Sequence, residues 1–133
     1  MLVPPTGDAG TLLKHPDFNG IAPYTMPNMT TIESTNCYAA ALDFLAERYS
    51  DPNMRIAHWI IHNEVDGGSH WTNMGDKPIA TFMDTYLRSM RMCYNIAHQY
   101  DQHSEVFISF SHGWNIAAGG GWYKVRDMLD FMN

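Results

Sequence analysis

The sequence predicts an α/β fold in which parallel strands alternate with helices. Three observations support this class: helical periodicity in two long segments, two short apolar runs rich in β-branched and aromatic residues, and the alternation of these segments along the chain. The predicted order is helix, strand, helix, strand, helix, which implies parallel strands joined by crossovers. Because two parallel strands do not make a stable sheet, this pattern is typical of the middle of a larger α/β domain.

The first third of the chain contains a loop-rich segment and one helix. Residues 1–33 are rich in Pro, Gly, Asn and Thr and have little periodicity, so they are predicted to be loop. Residues 34–36 (Ser-Thr-Asn) each suit a helix cap, and apolar residues then recur at helical spacing. The run 50–53 (Ser-Asp-Pro-Asn) is expected to end this helix.

The remaining elements follow from the change of period along the chain. The first strand is predicted over about 56–64, and the loop 65–78 follows it. A stripe of Met and aromatic residues, interpreted as core, predicts the second helix over about 79–100. The second strand covers 106–110, and the apolar pattern within 123–132 predicts a third helix.

Composition excludes several classes of partner. A chain of 133 residues with a formal charge of −6 is not expected to bind nucleic acid, since phosphate binding requires excess Lys and Arg. No apolar run reaches the ~20 residues of a membrane span. The N-terminal residues have neither the basic nor the apolar region of a signal peptide, and the localisation stays open.

Cys37 and Cys93 are interpreted as buried hydrophobes rather than as a disulfide, and no zinc spacing or cofactor motif is present.

The end of the first strand carries the most informative polar residues. Strand alternation is expected to place His58, Ile60, His62 and Glu64 on one face, with Glu64 at the carboxyl end where α/β proteins carry their chemistry. A glutamate at this position suits general acid/base catalysis. Asn63 beside it offers a donor and an acceptor for a sugar hydroxyl. The alternative is a glutamate that simply ends a strand in solvent.

Both strands are followed by His and Trp. Residues 69–71 (Ser-His-Trp) follow the first strand, and residues 111–114 (Ser-His-Gly-Trp) follow the second. Parallel strands deliver these side chains to the same end of the sheet. The rings of Trp71 and Trp114 suit stacking on sugar faces, and His112 suits hydrogen bonds to hydroxyls. The alternative is that the two tryptophans pack the loops.

These residues resemble a known group of enzymes. The run 60–65 (Ile-Ile-His-Asn-Glu-Val) resembles the fourth strand of the clan of retaining (β/α)8 glycoside hydrolases, in which an Asn-Glu pair ends that strand and the Glu is the acid/base. The chain is still more similar to a bacterial family of uncharacterised glycosidase-like TIM-barrel domains, from about residue 20 onward. The motifs that carry this similarity are 26–31 (Met-Pro-Asn-Met-Thr-Thr), the helix 38–49, 63–66 (Asn-Glu-Val-Asp), and Phe107-Ile108-Ser109 leading to His112 and Trp114.

The resemblance implies a fold and a reaction. The fold is a partial (β/α)8 TIM barrel of about strands four and five with three flanking helices, formed by residues 34–133. The reaction is the cleavage of an O-glycosidic bond in a carbohydrate substrate by a retaining two-carboxylate mechanism. The residues implied are Glu64 as acid/base, Asn63 as its hydroxyl-binding partner, His112 and Trp114 in the subsite, and Trp71 and Asp66 as loop candidates.

The main departure from the clan is length. A complete barrel needs ~250 residues, and a retaining enzyme needs a nucleophile ~5 Å from the acid/base. In the clan the nucleophile is a Glu on the seventh strand, which this chain does not reach. We therefore expect residues 1–133 alone to be inactive and to self-associate through exposed barrel edges.

Two other readings start from residues in this region. A non-catalytic carbohydrate-binding or structural half-barrel could use Trp71, Trp114 and Trp122 as a platform. A metal-dependent hydrolase could use His58 and His62, but four residues along a strand separate them by ~13 Å.

A serine hydrolase is a third alternative. Ser69 and Ser111 are each followed by His, but no G-x-S-x-G elbow is present. Adjacent strand residues point to opposite faces, so neither Ser-His pair is expected to act together.

Overall fold

The computed structural model describes residues 1–132, apart from the side chain of Ala9. The helices are α1 (Gly7–Leu13), α2 (Ile32–Arg48), α3 (Ile79–Tyr100) and α4 (Val125–Leu129), and the strands are β1 (His58–Ile60) and β2 (Glu105–Phe107). Within the described residues this is a small mixed helix-and-sheet domain built on a two-stranded parallel sheet. No helix among residues 1–132 combines the length and apolarity needed to cross a membrane.

The prediction of a partial (β/α)8 barrel with three flanking helices is wrong. The described residues form four helices and two strands of only three residues each. Both predicted strands are longer than the observed ones, and after β1 the chain leaves extended geometry. The backbone of His62 has φ 64° and that of Glu64 has φ 42°, so side-chain alternation ends at Ile60. Glu64 therefore does not lie on a strand face with His58 and Ile60.

The two long helices agree with the periodicity. α3 spans the predicted residues, and it buries Phe82, Met83, Tyr86 and Cys93 in the core. α2 begins earlier than expected, because Thr31 rather than residues 34–36 is the N-cap. The Thr31 hydroxyl accepts from the Ser34 backbone N–H at 3.1 Å, and the Ser34 hydroxyl accepts from the Thr31 N–H at 3.2 Å. This reciprocal capping box satisfies two amides at the start of the helix.

The sheet is covered by helices on one face only. β1 and β2 pair in parallel with Trp59 opposite Val106 and Ile60 opposite Phe107, as the alternation of elements predicts. Trp59 and Val106 pack against the core, which lies between the sheet and the helices. Ile60 is 63% exposed and Phe107 is 49% exposed on the other face. The hydroxyl of Tyr86 donates to the Ile61 carbonyl at 2.8 Å and joins α3 to the end of β1.

The region predicted as loop is organised by hydrogen bonds and by α1. Asn73 is 2% exposed and connects this region to the loop after β1. Its side-chain oxygen accepts from the Asn19 N–H at 2.9 Å, and its side-chain nitrogen donates to the Ser69 carbonyl at 3.1 Å. Its backbone carbonyl accepts from the Met26 N–H at 2.9 Å. Buried amide groups paired in this way hold the two irregular segments together.

Candidate functional site

The loop after β1 carries the two residues singled out by the sequence. Asn63 and Glu64 are both half-buried, and the Glu64 backbone N–H donates to the Ser109 hydroxyl at 3.4 Å. Within residues 1–132, His62 and Glu64 are the only non-glycine residues with positive φ. Such conformations are unfavourable for residues with a Cβ atom, and they concentrate at functional sites. The backbone conformation therefore marks this loop independently of the sequence motif.

Asp66 connects the ends of both strands. It is fully buried, and its carboxylate accepts from the Ser111 backbone N–H at 2.8 Å and from the Ser111 hydroxyl through its second oxygen. Its backbone carbonyl accepts from the Tyr123 N–H at 2.8 Å. Both carboxylate oxygens are thus engaged within the protein. The sequence prediction of Asp66 as a substrate-binding residue gains no support from this geometry, which gives it a role in positioning the loops.

Two glycines allow aromatic rings to approach this loop closely. A Cβ atom on Gly67 would lie 2.8 Å from the Trp71 ring and 3.0 Å from the Trp122 ring. A Cβ atom on Gly68 would lie 2.7 Å from the Tyr123 ring. Any larger residue at these positions would displace the rings. The Gly67-Gly68 pair is the sequence signal that could have revealed this aromatic packing.

Trp71 is packed against its neighbours. Its ring stacks on Tyr24 with centroids 5.4 Å apart and an interplanar angle of 20°, and His70 contacts it edge-on at 4.9 Å. One face of the indole is therefore already occupied by a protein ring. Tyr24 lies in the region predicted as loop and was not among the predicted site residues.

His112 and Trp114 are presented differently. Both residues are exposed, Trp114 to 53%. The surrounding backbone is held in place, because the first turn of α4 donates two hydrogen bonds to it. The Val125 N–H donates to the Gly113 carbonyl at 3.0 Å, and the Arg126 N–H donates to the Trp114 carbonyl at 3.2 Å. The result is an accessible indole on a fixed loop.

The structure brings some of the predicted site residues together through the backbone. The Glu64 N–H contacts Ser109, and Asp66 contacts Ser111, so the loops after β1 and β2 meet at one end of the sheet. Trp71 lies in the same loop region but is turned toward Tyr24.

The rival hydrolase readings gain no support from the described residues. His58 is exposed and its Nδ1 accepts from the Glu105 N–H at 3.2 Å, whereas His62 is buried. Across residues 1–132 no three His, Cys, Asp or Glu side chains cluster as a metal-binding group would require. The Ser69 hydroxyl donates to a backbone carbonyl and the Ser111 hydroxyl to Asp66 rather than to a histidine.

Fold and site together define a small helix-and-sheet domain whose sheet ends in a strained loop with a half-buried glutamate. Over residues 1–133 the chain matches a family of unknown function, DUF5722, and it belongs to that family. No curated protein matches the chain. No solved structure matches it either.

The strain at Glu64 has a measurable consequence. Glycine adopts positive φ without the ~1–2 kcal/mol cost of a Cβ atom, although it loses ~0.5–1 kcal/mol more backbone entropy on folding. We expect Glu64→Gly to raise the free energy of unfolding by up to ~1 kcal/mol, measured by denaturant titration, while it removes the carboxylate. The matched control is Glu47→Gly at an exposed position in α2, which should lower the same quantity by ~1 kcal/mol. Equal destabilisation by both substitutions would show that Glu64 is not strained.

Proposed function

We propose that this chain contributes the acid/base part of a carbohydrate-active site that cleaves an O-glycosidic bond with retention of configuration. The observation that carries the proposal is the strained backbone at Glu64, which lies at the carboxyl end of the sheet in the Asn63-Glu64 pair. Natural proteins keep such conformations where function requires them. The resemblance of this pair to the end of the fourth strand in retaining glycoside hydrolases supports the same role.

Residues of the loop after β2 suit a sugar. Trp114 offers an exposed indole on a fixed loop, and His112 beside it is exposed for hydrogen bonds. Aromatic faces and polar groups at the same loop are the combination that carbohydrate recognition requires. Asn63 is half-buried next to Glu64 and can both donate to and accept from a hydroxyl group.

Glu64 acts twice in the proposed mechanism. As an acid it donates its proton to the leaving oxygen while a second carboxylate forms a covalent bond to the sugar. As a base it then takes a proton from the water that hydrolyses this intermediate, and the enzyme returns to its starting state. Asp66 does not suit the role of the second carboxylate, because it is fully buried and both of its carboxylate oxygens accept hydrogen bonds from Ser111. The resemblance to the clan implies that the nucleophile lies outside residues 1–133.

The experiment is a turnover assay on the full-length gene product with a panel of 4-nitrophenyl glycosides that differ in sugar and anomer. We expect release of 4-nitrophenol from at least one glycoside, with retention of configuration when the product is followed by NMR. Inversion would contradict the retaining mechanism. Absence of turnover together with absence of binding to any sugar in the panel would overturn the proposal.

A non-catalytic carbohydrate-binding role is the second candidate. It is favoured by the 53% exposure of Trp114 on its fixed loop, which needs no catalytic carboxylate. Saturable sugar binding without turnover, lost in Trp114→Ala and unchanged in Glu64→Gln, would select this role over catalysis.

A further inference from the structure

A second site lies between α2 and β1, away from the exposed tryptophan. It is a cavity of about 200 Å³ whose walls are mostly apolar and include Leu13, Tyr38, Leu42 and Trp59. Ala41 and Leu45 also line it and are exposed, so they mark its mouth. We call it the His62 cavity, because His62 completes its wall.

His62 is the unusual member of this lining. The residue is only 5% exposed, and its Nδ1 and Nε2 atoms both lack a hydrogen-bond partner. Within residues 1–132 these two atoms are the only buried side-chain nitrogen or oxygen atoms without one. A neutral imidazole carries one donor and one acceptor, and buried polar groups are almost always paired. An unpaired imidazole in the wall of an apolar cavity therefore indicates that a bound molecule supplies the partner.

We propose that the His62 cavity binds a small uncharged molecule that is mostly apolar and carries a hydroxyl group, such as a phenol or an alicyclic alcohol, with its hydroxyl on His62. The size agrees, because an apolar cavity of about 150 Å³ accommodates benzene. A hydroxyl group both donates and accepts, so it pairs with either ring nitrogen in either tautomer. The mostly apolar walls favour an uncharged ligand, because burial of an ion is costly there even though the amino group of Met1 also lies in the wall.

This site is independent of the proposed glycosidic activity. Glu64 follows His62 by two residues but does not line the cavity. His62 lies in the cavity wall, and the chain continues from it to Glu64 at the end of the sheet. Occupancy of the cavity is therefore testable by binding alone, without any turnover assay.

The test uses phenol and toluene, which have similar size but differ in the hydroxyl group. In the isotope-labelled protein, the indole N–H signal of Trp59 should shift in a saturable manner with both probes, because Trp59 lines the cavity. In His62→Leu we expect phenol to bind about tenfold more weakly, while toluene binds as in the unsubstituted protein or more tightly. Equal phenol affinity in both proteins would overturn the role of His62.

Replacement of two alanines on the surface of α2 by phenylalanine, one at a time, keeps the test decisive if His62→Leu fails to fold. Ala41→Phe places a ring at the mouth and should weaken both probes by roughly tenfold or more. Ala40→Phe, at an exposed position that does not line the cavity, should leave both affinities unchanged. Equal effects of the two substitutions, or no shift of Trp59 up to the solubility limit of phenol, would overturn the proposed site.

Discussion

Replacement of Glu64 by glutamine is expected to lower kcat/KM for 4-nitrophenyl glycosides by roughly 10²- to 10⁴-fold in the full-length gene product, the range that general acid/base catalysis contributes. Glutamine keeps the size of the side chain and its hydrogen-bonding capacity but can neither donate the proton nor accept it from water. Glu64 is half-buried and its backbone is held beside Ser109, so the substitution should leave the loop in place. The measurement is steady-state turnover with circular dichroism as the check of folding.

The leaving group distinguishes an acid/base from a residue that only shapes the site. A 2,4-dinitrophenolate departs without protonation, so its release from a dinitrophenyl glycoside should fall much less in Glu64→Gln than release of 4-nitrophenol. Azide, which needs no general base, should restore the second step. Glu105→Gln is the control, because Glu105 is exposed at the amino end of β2 and should have ordinary kinetics. Equal losses for both leaving groups, with no effect of azide, would assign Glu64 to binding or structure.

His62 is expected to give the second large effect, a loss of stability at mildly acidic pH. Burial lowers the pKa of His62 from its usual value near 6.5 to about 3. Below pH 6.5 the unfolded chain therefore binds a proton that the folded protein does not. The free energy of unfolding should be independent of this group above pH 6.5. It should then fall by a little over 1 kcal/mol per pH unit as the pH decreases toward 3.

The matched comparison is with His62→Leu, which removes the titrating group. Between pH 6.5 and 5, the stability of the unsubstituted protein should fall by roughly 2 kcal/mol more than that of the variant in denaturant titrations. Burial also lowers the pKa of His15. Because His15 is present in both proteins, its contribution cancels in the difference between their stabilities. His103→Leu, at an exposed position, should keep the unsubstituted pH dependence. Parallel pH profiles for His62→Leu and the unsubstituted protein would contradict the burial of a neutral imidazole.

The His62 cavity and the loop with Glu64 each contain a residue with positive φ. These two residues, His62 and Glu64, flank Asn63 in the stretch where the chain leaves the strand. His62 enters the cavity wall between α2 and β1, and Glu64 lies at the end of the sheet. A regular strand would have put both on one face, as the sequence analysis expected. Two sites with different chemistry can thus lie two residues apart.

Local periodicity in the sequence sufficed to predict several parts of this protein. The bounds of α3, its buried face and the parallel pairing of β1 with β2 were predictable, since a helix that packs on a core must repeat its apolar residues every three to four positions. The candidate glutamate was also visible, because an apolar run that ends in Asn63-Glu64 is a local pattern.

The ends of the strands and the surroundings of the site depend on contacts between distant parts of the chain. The three-residue length of the strands, the left-handed backbone at Glu64, the enclosure of Asp66 and the unpaired ring of His62 all depend on residues far away in the chain. Asp66 is held by Ser111, 45 positions later, and Asn73 by Asn19, 54 positions earlier. No local pattern encodes such pairings, because a polar residue in a loop looks the same in sequence whether its partner is water or a buried amide.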